Sequence, residues 1–196
     1  MKKELKQLFL IFGIFVLVKI LISFFIPSSR AFSDDYRYLK MAESFYYSFS
    51  LTVHNLPNIQ YSPLYPIIIS ISNVFNSNNL VYFTIKVINS IISSLIIFPS
   101  YLIPKEFLSS KKSLFISIFI GLLPANFALI SYIMSENLFY SLFLFSIYFI
   151  YKSFKDRNLK DYILSSLFIS LTFLTRTQGI ILIILVAILI FLDILN

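Results

Sequence analysis

The chain has 196 residues, 58% of them hydrophobic and only 13% charged, against about 25% charged residues in ordinary soluble domains. With a mean hydropathy of +0.86 it reads as a lipid-embedded protein, so its formal charge of +7 is first a matter of loop topology, not of nucleic-acid binding. The absence of Cys excludes disulfides, thiolate nucleophiles and Cys-ligated zinc.

In chain order, the first apolar run extends from Leu8 to Pro27, interrupted by one cation, Lys19. It is long enough to cross a hydrocarbon core, which needs about 20 residues. Ser29-Arg30-Ala31 has the look of a signal-peptidase site, but the preceding run exceeds the roughly 7–15 residues of a cleaved h-region. An uncleaved anchor is expected.

The long connection in the chain follows, residues 28–62, and long connections in compact proteins tend to be functional. Within it, about residues 34–49, Leu39, Ala42, Phe45, Tyr46 and Phe49 recur at helical spacing opposite Arg37, Lys40 and Glu43. This pattern predicts an amphipathic helix lying on the membrane surface. Residues 64–75 are apolar but span only about half the length of a crossing. They predict a short, partly re-entrant helix opened by Pro63 and Pro66.

Further apolar segments run from about Leu80 to Ile103, Ser113 to Met134, Asn137 to Tyr151, Tyr162 to Thr175 and Gly179 to Ile194. The expected fold is all-α: a polytopic helical membrane protein of about six transmembrane helices, residues 1–196 forming one transmembrane domain. The fourth and fifth segments are short against a minimum of about 17 residues. Pro124 lacks an N–H and should kink or break the third, near Asn126. With 23 Phe, 3 Gly and no GxxxG pattern, the helices are expected to pack by bulk rather than through small residues.

With the N-terminus cytoplasmic, ten cations fall inside, on Lys2, Lys3, Lys6, Lys105, Lys111, Lys112, Lys152, Lys155, Arg157 and Lys160. Only Arg30, Arg37, Lys40 and Arg176 fall outside. That asymmetry satisfies the positive-inside rule and puts the long loop on the outer face of a cell membrane. The acids on that face are Asp34, Asp35, Glu43 and Glu136. Lys19 and Lys86 lie within the membrane, roughly 12 Å and 9 Å from the outer ends of their segments at 1.5 Å per residue. Intramembrane cations are functional candidates by default. An acid to handle a sugar or alcohol hydroxyl, beside cations to hold a lipid phosphate, suggests a membrane-embedded enzyme.

Four short motifs in order then resemble the GT-C superfamily of polyprenyl-phosphate-sugar glycosyltransferases, which includes protein O-mannosyltransferases and aminoarabinose transferases. Residues 34–42, Asp-Asp-Tyr-Arg-Tyr-Leu-Lys-Met-Ala, resemble the family's D-E-x-x-Y-x-x-x-A. Tyr61-Ser62-Pro63-Leu64-Tyr65-Pro66 resembles Y-P-P-L-Y-P, Ser135-Glu136-Asn137-Leu138-Phe139 resembles T-E-P-L-F, and Leu174-Thr175-Arg176-Thr177-Gln178-Gly179 resembles L-T-R-P-E-G. Asp35 stands where the family has Glu, Asn137 where it has Pro, and Gln178 where it has an acid.

The resemblance implies an inverting transfer from a polyprenyl or dolichyl phosphate carrier to an acceptor hydroxyl. It implies Asp34 as base with Asp35 as second candidate; Arg176, the cation best supported by the motifs, is joined by Arg37, Lys19 and Lys86 as candidates at the donor phosphate, with Glu136, Tyr61 and Tyr65 as further candidate donor- and substrate-binding residues. Phosphate is a weak base when it leaves, so one carboxylate plus cations can suffice where a glycosidase needs two carboxylates. No metal or other cofactor is expected, and no His or carboxylate cluster has the spacing of a divalent-metal site. Family members continue with further helices, so a truncated chain, or a second subunit supplying the missing half, is also expected.

Plainer roles suit the same residues. Asp34 and Asp35 fit the first turn of a helix, whose dipole favours acids by about 0.3–1 kcal/mol each. Lys19 and Lys86 can snorkel to headgroups, Glu136 can be a helix-start acid, Arg176 an interfacial anchor, and His54, near Asn55 and Asn58, a solvated turn residue. The rival functional readings are a small six-helix transport or substrate-capture subunit and a non-catalytic membrane partner.

Overall fold

The structure, a computed structural model, describes residues 2–26, 33–58 and 60–195. Arg30 and the Ser29-Arg30-Ala31 sequence lie outside the described residues. Helix α1 (Lys2–Phe24) is followed by α2 (Ser33–Ser48), a β-hairpin of β1 (Thr52–Val53) and β2 (Leu56–Pro57), and α3 (Leu64–Ile69), which runs into a 3-10 turn, Ser70–Val74. Then come α4 (Asn78–Ser94), α5 (Ile97–Lys105), α6 (Ser110–Gly121), α7 (Pro124–Ala128), α8 (Glu136–Asp156), α9 (Leu159–Thr175) and α10 (Ile180–Leu195). The fold is all-α in class, and the amphipathic helix and the short apolar helix lie where the periodicity predicts them.

The hairpin is the departure from helix. Its strands pair antiparallel, Thr52 with Pro57 and Val53 with Leu56, across His54 and Asn55, both at positive φ (53° and 64°). Two central residues in that region form the tight turn whose twist matches paired strands, and Asn tolerates it well.

Among the described helices, three are long and apolar enough to cross a membrane: Glu4–Phe24, Asn78–Lys105 and Thr177–Leu195. A fourth results if Ser110–Gly121 and Pro124–Ser131, bent by 53°, form one broken span. That is fewer than the six expected. Helices stand at the fourth and fifth expected crossings, but α9 has only 17 residues, and α8 begins on Glu136-Asn137 and ends on Lys152, Lys155 and Asp156, which dilutes its apolar length. The bend has the cause read from the sequence: Pro124 opens α7, and the Asn126 amide donates to the Ile120 carbonyl at 2.7 Å, satisfying backbone freed by the break.

A scarcity of glycine does not mean packing by bulk alone. Serines at 90, 93, 94, 113, 117, 141, 146 and 153 are all buried, so the small residue that lets these helices approach is Ser. Most return their hydroxyl proton to the preceding turn, as Ser94 does to the Ser90 carbonyl at 2.7 Å and Ser90 to the Lys86 carbonyl at 2.8 Å. Some bridge helices: Ser141 on α8 donates to the Ile92 carbonyl of α4 at 3.1 Å, and Ser146 on α8 also meets Thr172 on α9 at 2.9 Å, beside the stacked rings of Phe145, Phe149 and Phe168.

One end of the bundle is a net of ion pairs: Lys105 with Glu4, Lys155 with Glu106 and Arg157 with Asp193. At the other end lie α2, the hairpin, α3 and the start of α8. The largest core cluster sits there, built on Tyr38, Ala42, Tyr65, Ile69, Ile85 and Leu138.

Candidate active site

The segment that joins the broken third helix to α8, residues 129–135, contains only a single 3-10 turn, Leu129–Ser131, so its backbone needs partners from the surrounding protein. Two asparagines supply them. The Asn89 amide, fully buried on α4, donates to the Tyr132 carbonyl at 2.9 Å and to Ile130 at 3.4 Å, and its own oxygen accepts the Tyr65 hydroxyl at 3.0 Å. The Asn137 amide donates to the carbonyls of Leu129, Met134 and Tyr132 at 2.9, 3.1 and 3.2 Å. The Tyr82 hydroxyl closes the set on the Ser131 carbonyl at 2.7 Å. Thus Asn137, a departure from the family pattern, has a structural task here.

The clamped segment delivers Ser135 and Glu136 to the first turn of α2. The Ser135 hydroxyl bonds the Tyr38 phenol at 2.9 Å. The Tyr38 ring meets Tyr61 and Tyr65 edge-on, at centroid distances of 5.1 and 5.2 Å, so three tyrosines run in contact from the surface to buried Asn89. Burial pushes the Tyr38 and Tyr61 phenols up from their ordinary value, and both stay protonated donors at neutral pH.

Tyr61 uses its proton on Asp34, donating to Oδ1 at 2.6 Å. Asp34 is exposed, with one carboxylate oxygen held by that bond. Facing it, Arg176 leaves the end of α9 in an extended conformation (φ −153°, ψ 139°), forms an ion pair with Glu136 and donates Nε–H to Gln178 Oε1 at 3.2 Å. Its guanidinium also lies 5.9 Å from the centroid of the Phe139 ring. Gly179 permits the tight link that follows, because a Cβ there would meet the Phe173 backbone nitrogen at 2.7 Å.

These groups enclose one cleft of about 210 Å³, lined by Asp34, Tyr38, Gln60, Tyr61, Ser62, Glu136 and the Arg176-Thr177-Gln178 run. All four sequence motifs therefore reach the same cleft. Arg37 stands beside it, donating to Gln60 Oε1 at 2.6 Å with its guanidinium 5.4 Å from the Tyr61 ring centroid.

Four expected site residues lie elsewhere. Asp35, one position along the helix from Asp34, is buried at 2% exposure and does not line the cleft. Tyr65 lies beneath it, tied to Asn89. Lys19 and Lys86 are buried fasteners between α1 and α4. The Lys19 ammonium donates to the Ser93 hydroxyl at 2.8 Å, over the Phe127 ring. Lys86 donates to the Ser23 and Ile26 carbonyls, both at 2.6 Å, capping the last turn of α1, whose carbonyls have no intrahelical partner. Neither lysine snorkels. Gln60 and Tyr38 are cleft residues that the sequence reading did not single out, although Tyr38, like the Ser135 that bonds it, occupies a place in the family-like motifs. His54 sits in the hairpin turn, its Nε2 3.2 Å from the Tyr36 hydroxyl. Among the described residues, no three His, Asp or Glu side chains are placed to share a metal ion.

The family model for dolichyl-phosphate-mannose-protein mannosyltransferases matches residues 60–195. No curated protein and no solved structure matches the chain.

Proposed function

The chain belongs to the dolichyl-phosphate-mannose-protein mannosyltransferase family, and from that premise we propose that it transfers a sugar from a polyprenyl-phosphate carrier to an acceptor hydroxyl, with Asp34 as the base. It is a multi-pass membrane glycosyltransferase of the GT-C type, and its donor is a polyprenyl-phosphate-linked sugar. We place the ion-paired end, which gathers most of the Lys and Arg residues, in the cytoplasm, and the cleft on the outer face of the cell membrane.

The observation that carries the reading is the convergence of four separated motifs on one polar cleft, with a carboxylate on one wall and a guanidinium on the other. The acceptor hydroxyl gives its proton to Asp34, and its oxygen attacks the anomeric carbon from the face opposite the phosphate. The carbon–oxygen bond to the carrier breaks, its electron pair leaves on the phosphate, and the anomeric configuration inverts. Tyr61 fixes the rotamer of the base through its bond to Oδ1, a positioning role that matters because proton transfer needs hydrogen-bond reach. Arg176, with Arg37 near by, meets charge as it develops on the leaving phosphate, where a preorganised donor is worth most. Glu136 and Gln178 hold the Arg176 fork in place before the donor arrives. Lys19 and Lys86 serve the α1–α4 contact in this account, and Asp35 the interior of α2.

The test is reconstitution of the full chain in vesicles with a radiolabelled polyprenyl-phosphate sugar. Label passing from the lipid phase into a glycosylated product supports the enzyme. Uptake of a solute with the donor untouched would support the transport subunit instead, and neither transfer nor uptake would favour a non-catalytic partner.

A further inference from the structure

We propose that a second groove on α2, on the face turned away from Asp34, is a carbohydrate subsite for the acceptor. The proposal rests on the chain being a glycosyltransferase and names the class of acceptor it takes, a neutral oligosaccharide.

The groove lies between α2 and the loop leading into α4, with a volume of about 620 Å³, inside the roughly 300–1,000 Å³ range of small-ligand sites. Tyr36, Lys40, Glu43 and Tyr47 recur at intervals of four, three and four along α2, so they share one helical face. Across from them stand Asn76 and Asn79. The Tyr36 and Tyr47 side chains are 42% and 68% exposed, and the Tyr36 hydroxyl is already fixed by His54.

The chemistry of this lining selects its ligand. Lys40 and Glu43 neutralise each other at 2.6 Å, which leaves no net field to attract a phosphate or an ammonium. What remains at the rim is the two exposed phenol rings, flat apolar faces with a polar tip, and the exposed amides of Asn76, Asn78 and Asn79, which each both donate and accept, above an apolar floor that includes Leu39, Val81 and Ile133. A pyranose presents the complement: one face of C–H groups that lies against a ring, and a rim of hydroxyls that each donate and accept. An extended peptide would look for a strand edge or a deep apolar pocket. The strands among the described residues, β1 and β2, do not line this groove.

Geometry sets the length. The groove and the Asp34 cleft lie on opposite sides of a helix about 10–12 Å across with its side chains. A single sugar held at Tyr47 cannot present its hydroxyl to Asp34, whereas a chain of several sugars passing the first turn of α2 can.

The experiment measures binding, by saturation-transfer NMR on the purified full chain in detergent, of mannohexaose, maltohexaose and chitohexaose, with a Ser/Thr-rich hexapeptide as competitor. At least one hexasaccharide binds the wild type, and Tyr47→Ala and Asn79→Ala each weaken it about fivefold or more, the loss of one hydrogen bond or ring contact. Tyr47→Phe keeps the ring and most of the affinity, which separates loss of contact from loss of fold. Asp34→Asn, which removes transfer in the account above, still binds. The proposal is overturned if no hexasaccharide binds, if Tyr47→Ala and Asn79→Ala bind as wild type does, or if the peptide displaces the sugar. Failure of the Asp34 reading would show only in transfer, so the two fail separately.

Discussion

The segment that presents Glu136 to the cleft is held by two buried amides, and Asn89, which ties it to both α4 and Tyr65, makes Asn89→Leu the most informative structural perturbation. The substitution nearly conserves volume and removes three bonds, to the Tyr65 hydroxyl at 3.0 Å and to the Tyr132 and Ile130 carbonyls at 2.9 and 3.4 Å. Side-chain hydrogen bonds between membrane helices average about 0.6 kcal/mol, so the three contribute about 2 kcal/mol. At roughly 2–4 °C per kcal/mol for a chain of this size, the melting temperature falls by about 4–8 °C. Tyr65→Phe leaves the Asn89 oxygen without that donor and costs about 1 kcal/mol. In the double variant the two partners of that bond vanish together, which is nearly neutral beyond the single loss. Its cost stays at about 2 kcal/mol instead of rising to the additive value near 3. Thermal denaturation of all four proteins in one detergent measures the cycle. Strict additivity, or an Asn89→Leu protein as stable as wild type, would refute the clamp.

Three further outcomes follow from the geometry. Gly179→Ala destabilises by about 1–3 kcal/mol, because its Cβ would meet the fixed backbone of Phe173 and Thr172, whereas Gly121→Ala costs less, its neighbours being the side chains of Ile97 and Phe15; paired melting curves rank them. Lys86→Met lowers stability by about 2–3 kcal/mol through the lost charged bonds to two carbonyls, yet leaves the donor KM unchanged, and a raised KM would return Lys86 to the donor phosphate. Arg176→Ala lowers kcat about 10²-fold, in the range for removal of one donor to developing charge, and Arg176→Lys recovers part of it by restoring a point charge without the planar fork.

Much of this molecule was legible before its structure. Hydropathy placed the apolar helices, the α2 periodicity placed the surface helix, and Pro124 placed the bend, because each is set by local backbone chemistry or by contact with lipid. Asp34, Arg176, Glu136 and Tyr61 were legible for another reason: they sit in short motifs whose order survives without knowledge of contacts. What pattern cannot supply is the partner. Lys19 and Lys86 look alike in sequence to phosphate ligands and to snorkelling anchors, and only the nearness of Ser93 and of the α1 carbonyls gives them a third role. Asp34 and Asp35 are adjacent in sequence but about 100° apart on a helix of 3.6 residues per turn, which sends one to the cleft and the other inward. Asn137 stood out in sequence only as a departure from the family motif and Asn89 not at all, although an amide deep in an apolar segment marks backbone that needs a donor. The serines were legible as polar residues and missed as small ones.

The central claim is that Asp34 removes the acceptor proton in a cleft assembled by four motifs. It is tested most directly by single-turnover transfer from a radiolabelled polyprenyl-phosphate sugar, comparing wild type, Asp34→Asn and Asp35→Asn at matched folded concentration. The account predicts a loss of about 10²–10⁴-fold for Asp34→Asn, the range for a general base, and a much smaller loss for Asp35→Asn. Transfer by Asp34→Asn at the wild-type rate would contradict it.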